Sequence, residues 1–181
     1  TSQCEQLLCE IYDLRNIMVK YCYGPATASP KDTLQNAKRH FEKLEAWLEG
    51  EAKRTNSGDK RTNPGDSPKT NVVHLVGGKF NAPDFHLYEM LDQFEEFAKH
   101  NKLGNFLNDF GRLKAFKEGF SSLEENKFYL ESWLHTELPF NNCMAQFGSL
   151  PGPDVYKYNE SGPSATWRGK GVISMSPSST S

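Results

Sequence analysis

The sequence predicts an all-α fold: a helical bundle with an inserted polar loop and an irregular C-terminal tail. Three observations lead there. Apolar residues recur at three- and four-residue spacing through most of the chain up to Leu138, the period of a helix that buries one face. Residues that start and stop helices flank those runs. Beyond Leu138 the chain becomes rich in Gly, Pro and Ser, with little periodicity.

The elements follow in order. From Gln3 to Tyr23, residues Leu7, Leu8, Ile11, Leu14, Ile17, Met18 and Tyr21 share one side of a helix that Gly24-Pro25 ends. A second helix is expected from Asp32 to Glu49, with Leu34, Ala37, Phe41, Leu44 and Leu48 on its apolar face, Asp32 as cap and Gly50 as stop. Residues 53–66 read KRTNSGD followed by KRTNPGD, a tandem repeat differing only at Ser57 and Pro64. Its polarity predicts a solvated loop, assigned to residues 51–71. Asn81-Ala82-Pro83-Asp84 then reads as a helix start: Asn81 as N-cap, Pro83 in the first turn, Asp84 reaching back to the cap's free amide, and Phe80 as a hydrophobic staple. Phe85, Tyr88, Leu91 and Phe94 continue that helix. Phe106, Leu107, Phe110, Leu113, Phe116 and Phe120 line a broken helical segment, and Leu123 to Trp133 forms a last short helix. The domain is placed at 1–138 and the tail at 139–181, tethered by Phe140, Phe147, Tyr156, Tyr158 and Trp167.

Composition excludes several classes of function. The chain has 181 residues, 21 basic against 23 acidic, and a formal net charge of -2. No broad positive field is available for nucleic acid. No apolar run reaches the eighteen or so residues of a membrane span. Cys4, Cys9, Cys22 and Cys143 form no CxxC or zinc-finger spacing, and the first three share one helix, so free thiols in a reducing, intracellular compartment are expected and structural metal is not.

Self-sufficient catalytic motifs are also missing. Glu95-Glu96 and Glu124-Glu125 are adjacent in helices and point to different faces. The five histidines lack ligand-like spacing. Gly77-Gly78 is a turn without a phosphate cradle around it.

One resemblance emerges from the motifs. Asp13-Leu14-Arg15 running into Tyr21-Cys22-Tyr23-Gly24-Pro25, Leu75 to Phe80 followed by Ala82-Pro83-Asp84-Phe85 and Tyr88 to Gln93, and Leu107 to Phe110 with Leu113, Phe116, Phe120 and Leu123 together resemble the C-terminal all-helical domain of cytosolic glutathione transferases, most closely the mu-type branch. Asn81 stands where that family has Ser or Thr, Gly111 where Pro is common, and the KRTN repeat enlarges a short connection. The resemblance implies that Tyr23 lies in the electrophile pocket, where it can hydrogen-bond a reacting substrate, with Val19 and Phe140 as pocket walls. It also implies that Asp13 reaches the amino group of a neighbouring subunit's glutathione, which makes a homodimer part of the site. Each of these has a plainer reading: Tyr23 as a buried helix end, Val19 as core, Asp13 in a local ion pair with Arg15 or a Lys, and Phe140 as a tail anchor.

The family's thioredoxin-like N-terminal domain, which carries most glutathione contacts and the thiol-activating residue, does not appear in this sequence. The chain by itself is therefore expected to be non-catalytic and to hold no cofactor, with glutathione entering only where the full enzyme exists. Two functions follow. The first is an interaction or structural subunit of a larger assembly, with protein partners. The second is the electrophile-binding half of an active glutathione transferase that conjugates glutathione to small electrophiles.

Overall fold

A computed structural model describes residues 2–56, 74–77, 79–132, 135, 139–142, 144–149, 165–168 and 172–175. Helix α1 (Ser2–Cys22) turns Leu7, Ile11, Leu14, Met18 and Cys22 inward. Those positions step by three and four, so a single stripe is buried. Leu8, Ile17 and Tyr21 lie at its margins, only partly covered.

Helix α2 (Pro30–Asn56) departs from expectation at both ends. Its cap is Ser29 rather than Asp32: the Ser29 hydroxyl accepts the Asp32 N–H at 3.2 Å and its carbonyl accepts the Thr33 N–H at 3.0 Å. Pro30 then occupies the first helical position, where its missing N–H costs nothing. Gly50 does not stop the helix. A glycine inside a helix costs only about 1 kcal/mol relative to alanine, and burial of Ala52 together with the Glu49–Lys53 and Glu51–Arg54 pairs carries the helix past it. Residues 51–56 of the expected loop are thus helical, and residues 57–71 lie outside the described residues.

Helix α3 (Ala82–His100) starts as predicted at Asn81. The Asp84 carboxylate accepts the Asn81 N–H at 2.8 Å, and the staple forms between Phe80 and Phe85, whose ring centroids are 6.2 Å apart. A 3₁₀ turn (Phe106–Asp109) and helix α4 (Gly111–Ser121) meet at Phe110, which places the break in the expected broken segment. Helix α5 (Glu124–Leu130) is shorter than the predicted last helix.

α1 packs against both α2 and α3, and α4 closes over α2 and α3. The centre is aromatic. Phe41 of α2 meets Phe94 of α3 edge-on at 5.2 Å and stacks on Phe106 at 4.6 Å. Such pairs add about 0.5–1.5 kcal/mol beyond the burial of their area. Three long-range hydrogen bonds lock the frame: Glu45 of α2 accepts the Arg112 and Leu113 N–H groups at 2.7 and 2.8 Å, capping α4 from another helix, and the Trp47 indole donates to the Leu75 carbonyl at 2.8 Å.

The tail is less irregular than expected. Ala165–Arg168 (β1) and Val172–Met175 (β2) pair antiparallel, Trp167 opposite Ile173. β-Branched and aromatic residues on either side of a Gly169-Lys170-Gly171 connection supply a hairpin signal that the surrounding Gly, Pro and Ser obscure. Tyr156, Tyr158 and the Trp167 side chain, expected as tethers, lie outside the described residues and side chains.

Candidate functional site

Val19 and Tyr23 are four residues apart, at and just past the C-terminal turn of α1, and so share a face. The Tyr23 N–H donates to the Val19 carbonyl at 3.0 Å. Tyr23 is 45% exposed, so the reading of it as a buried helix end does not hold; Val19 is half-buried.

The segment 139–149 docks on this end of α1. A helix terminus leaves its last carbonyls without partners, and Gln146 supplies them. Its backbone N–H donates to the Cys22 carbonyl at 2.8 Å, while its side-chain Nε2 donates to the Gly24 and Tyr21 carbonyls at 2.7 and 3.2 Å. Asn141 and Gly148 close the segment into a loop through an N–H to carbonyl bond of 2.8 Å. Asn141 also donates from Nδ2 to the Phe147 carbonyl at 3.0 Å, and that carbonyl accepts the Cys22 thiol at 3.8 Å.

Phe147 is buried, edge-on to Phe97 at 5.2 Å and stacked on Phe140 at 6.2 Å. Phe140 itself keeps 38% exposure. Gly148 has φ +68, and a Cβ there would lie 3.0 Å from the Phe140 Cβ, so glycine is required on two grounds. The structure therefore brings Phe140 into the segment that covers the end of α1 bearing Val19 and Tyr23. Burial pushes the Cys22 thiol up from its ordinary value, partly offset by its bond to Phe147. Cys4, Cys9 and Cys22 are free thiols, and Cys143 lies outside the described residues.

Asp13 sits apart, about 9 Å along the helix axis from Val19 and about 120° around it. It is exposed, and its carboxylate, Glu10 and His40 bring their ligand atoms within 4.8 Å of one another. This trio has the composition of a metal site, unforeseen from the sequence because His40 lies on α2. Two of its members are already engaged by neighbours. Glu10 accepts from His40 Nδ1 at 2.5 Å and from Lys43 at 3.0 Å, and Arg39 Nε donates to His40 Nε2 at 3.1 Å. Burial works against the Glu10 charge, yet those hydrogen bonds hold its carboxyl below the usual range. Asp13 forms no ion pair among the described residues, so the local pairing with Arg15 or a Lys is not observed.

Further clusters are structural. Lys117 of α4 pairs with Asp92 at 3.0 Å and with Glu95, and His135 Nε2 lies 3.1 Å from the other Asp92 oxygen. Burial disfavours the Lys117 charge, but the Glu95 and Asp92 bonds push its pKa above the ordinary value. Glu95 and Glu96 indeed diverge, Glu96 pairing with Lys99. Two clefts flank α3. One, of about 250 Å³, is lined by residues including Tyr12, Arg15, His86 and Met90, the other, of about 470 Å³, by residues including Asn105, Lys117 and Ser121. None of Asp13, Val19, Tyr23 and Phe140 lines either.

The comparisons with known proteins bear on this arrangement. Residues 12–133 match the family model for the glutathione S-transferase C-terminal domain, and the chain belongs to that family. It is 39% identical to human glutathione S-transferase Mu 3 over 77 residues, covering 42% of this chain and 32% of that protein. It is 28% identical over 137 residues to the class-mu 26 kDa isozyme 51 of Fasciola hepatica, covering 75% of this chain and 51% of that one. The chain thus spans about half or less of these relatives' length. Among solved structures, the glutathione S-transferase Blo t 8 superposes with a TM-score of 0.54 at 23% identity, covering 81% of this chain and 59% of that one; this likeness supports the fold. Among the described residues no helix is long and apolar enough to cross a membrane.

Gln146, Asn141 and Gly148 escaped the sequence reading. Phe147 was visible as an apolar tether, but a lone Gln in a polar tail has no local pattern, and its partners lie more than 120 residues away.

Proposed function

We propose that this chain is the electrophile-binding C-terminal domain of a glutathione transferase that joins the glutathione thiolate to small electrophiles. The observation that supports this reading is the docking of 139–149, the segment that carries Phe140, on the end of α1 that bears Val19 and the exposed Tyr23. Val19 and Phe140 supply apolar walls. Tyr23 supplies an O–H able to donate to an electrophile oxygen on which charge develops. A thioredoxin-like domain would supply the glutathione site and lower the thiol pKa. Asp13, exposed and beside Glu10, offers negative charge to the amino group of glutathione held by a second subunit, which makes a homodimer the working form. The free thiols of α1 accord with a reducing compartment.

The test is the full-length product of the gene, assayed for retention on immobilised glutathione and for conjugation of a panel of aryl halides and α,β-unsaturated ketones. Retention and turnover are expected. Failure on both counts would overturn the proposal and favour the other reading, a non-catalytic helical domain serving as an interaction or structural subunit of a larger assembly.

A further inference from the structure

The peptide groups on both sides of Tyr23 are held by one residue. Gln146 donates three hydrogen bonds, to the carbonyls of Tyr21, Cys22 and Gly24. Those carbonyls form the frayed end of α1, which in most helices is left to water or to a glycine cap. The turn is also sterically tight: a Cβ at Gly24 would lie 2.2 Å from the Lys20 carbonyl oxygen. The Tyr23 ring projects from a stretch held by its own N–H bond to the Val19 carbonyl and, on either side, by Gln146. The loop that delivers Gln146 also carries Phe140, whose ring stacks on Phe147 and whose Cβ sits against Gly148. One docked loop therefore holds the backbone beside Tyr23 and carries Phe140.

We infer that Gln146 is a positioning residue for Tyr23: its side-chain amide, spanning the Tyr21 and Gly24 carbonyls, fixes the direction in which the Tyr23 hydroxyl is presented to an electrophile. The inference rests on the electrophile-pocket reading above. Gln146 touches no substrate in this account and acts through the backbone on either side of Tyr23. Its amide is suited to the task because both hydrogens of one NH₂ group are used, one per carbonyl, leaving the peptide chain pinned at two points three residues apart. The Cys22 contact comes from the Gln146 backbone and survives side-chain substitution, so the loop retains an anchor when the amide is removed.

The test is a double-mutant cycle on the full-length enzyme with Gln146→Met, which keeps side-chain length and the backbone bond but removes both amide donors, and Tyr23→Phe, which removes only the hydroxyl. For electrophiles slowed by Tyr23→Phe, Gln146→Met is expected to lower kcat/KM about three- to tenfold, the loss appropriate to hydrogen bonds of ordinary strength. In the Tyr23→Phe background the same change is expected to cost less than about twofold. Gln146→Lys, whose ammonium can still donate to both carbonyls at the negative end of the helix, is expected to recover activity to within about twofold of wild type.

A purely structural role for Gln146 would lower activity equally in both backgrounds, and that additivity would overturn the inference while leaving the pocket reading intact. If Tyr23→Phe slows no electrophile, the pocket reading itself fails and Gln146 has nothing to position. Should Gln146→Met fold poorly, the Lys variant decides the matter: activity within about twofold of wild type is expected, and a folded Gln146→Lys that loses more than that equally in both Tyr23 backgrounds overturns the inference.

Discussion

Asp84 offers the sharpest test of how the bundle is held. Its side chain is fully buried, with Oδ1 accepting the Leu75 N–H at 2.9 Å and Oδ2 accepting the Asn81 N–H at 2.8 Å. Asp84→Ala would orphan both donors at once. Each buried donor left without a partner costs about 1–3 kcal/mol, and relief from burying the carboxylate returns part of that, so a net loss of about 2–4 kcal/mol is expected. Asp84→Asn keeps one acceptor and is expected to lose about half as much.

Desolvation raises the Asp84 pKa above its ordinary 3.8, more than the Leu75 and Asn81 bonds lower it. The folded state therefore holds this proton more tightly than the unfolded chain. The stability contributed by this group is full at low pH and declines as pH rises through 3.8 toward the raised folded value. Urea unfolding of wild type and both variants across pH 4 to 8 measures each of these effects. A loss below about 1 kcal/mol for Asp84→Ala at neutral pH would refute the claim that this carboxylate joins the 75–81 segment to α3.

Other outcomes follow from the same structure. Glu45→Ala should cost about 1–2 kcal/mol in urea unfolding, because α4 loses the acceptor for the Arg112 and Leu113 N–H groups, while Glu45→Gln should lose less. Gly148→Ala should loosen the 139–149 loop by about 1–2 kcal/mol, since φ +68 and the 3.0 Å approach to Phe140 both oppose a side chain; the readout is faster labelling of the buried Cys22 thiol by a disulfide reagent. Among the described residues the buried Nδ1 of His74 has no hydrogen-bond partner, and desolvation lowers its pKa below 6.5, only partly offset by the Asp84 charge. The folded state prefers the neutral ring, so stability from this group is present above pH 6.5 and is lost as pH falls from 6.5 through the lowered folded value. His74→Leu should flatten that part of a melting-temperature profile between pH 5 and 7.5.

What was legible in the sequence was what is local. The Asn81–Asp84 start of α3 spans four residues, and its apolar stripe and staple are readable from spacing alone. A broken segment between Phe106 and Phe120 is legible in the same way, though its break at Phe110 is not. The α2 start was misplaced because Asp32 and Ser29 are both good caps, and only the backbone shows that Pro30 already sits inside the helix. The read-through of Gly50 needed knowledge that Ala52 is buried against the bundle. Contacts made across the fold left no sequence trace: Glu45 as a cap for α4, Asp84 binding Leu75, and Gln146 on the end of α1 all depend on tertiary placement. Tyr23, Val19 and Phe140 come from family resemblance, and their joint role as an electrophile site belongs to the proposal above.

The most direct measurement is kcat/KM of the full-length enzyme and its Tyr23→Phe variant, with glutathione and a panel of electrophiles that differ in hydrogen-bond acceptors at the reacting centre. The account predicts a loss of about three- to thirtyfold for substrates bearing such an acceptor, and little change for those without one. Equal rates for wild type and variant on every substrate would contradict the assignment of the α1 end as the electrophile site.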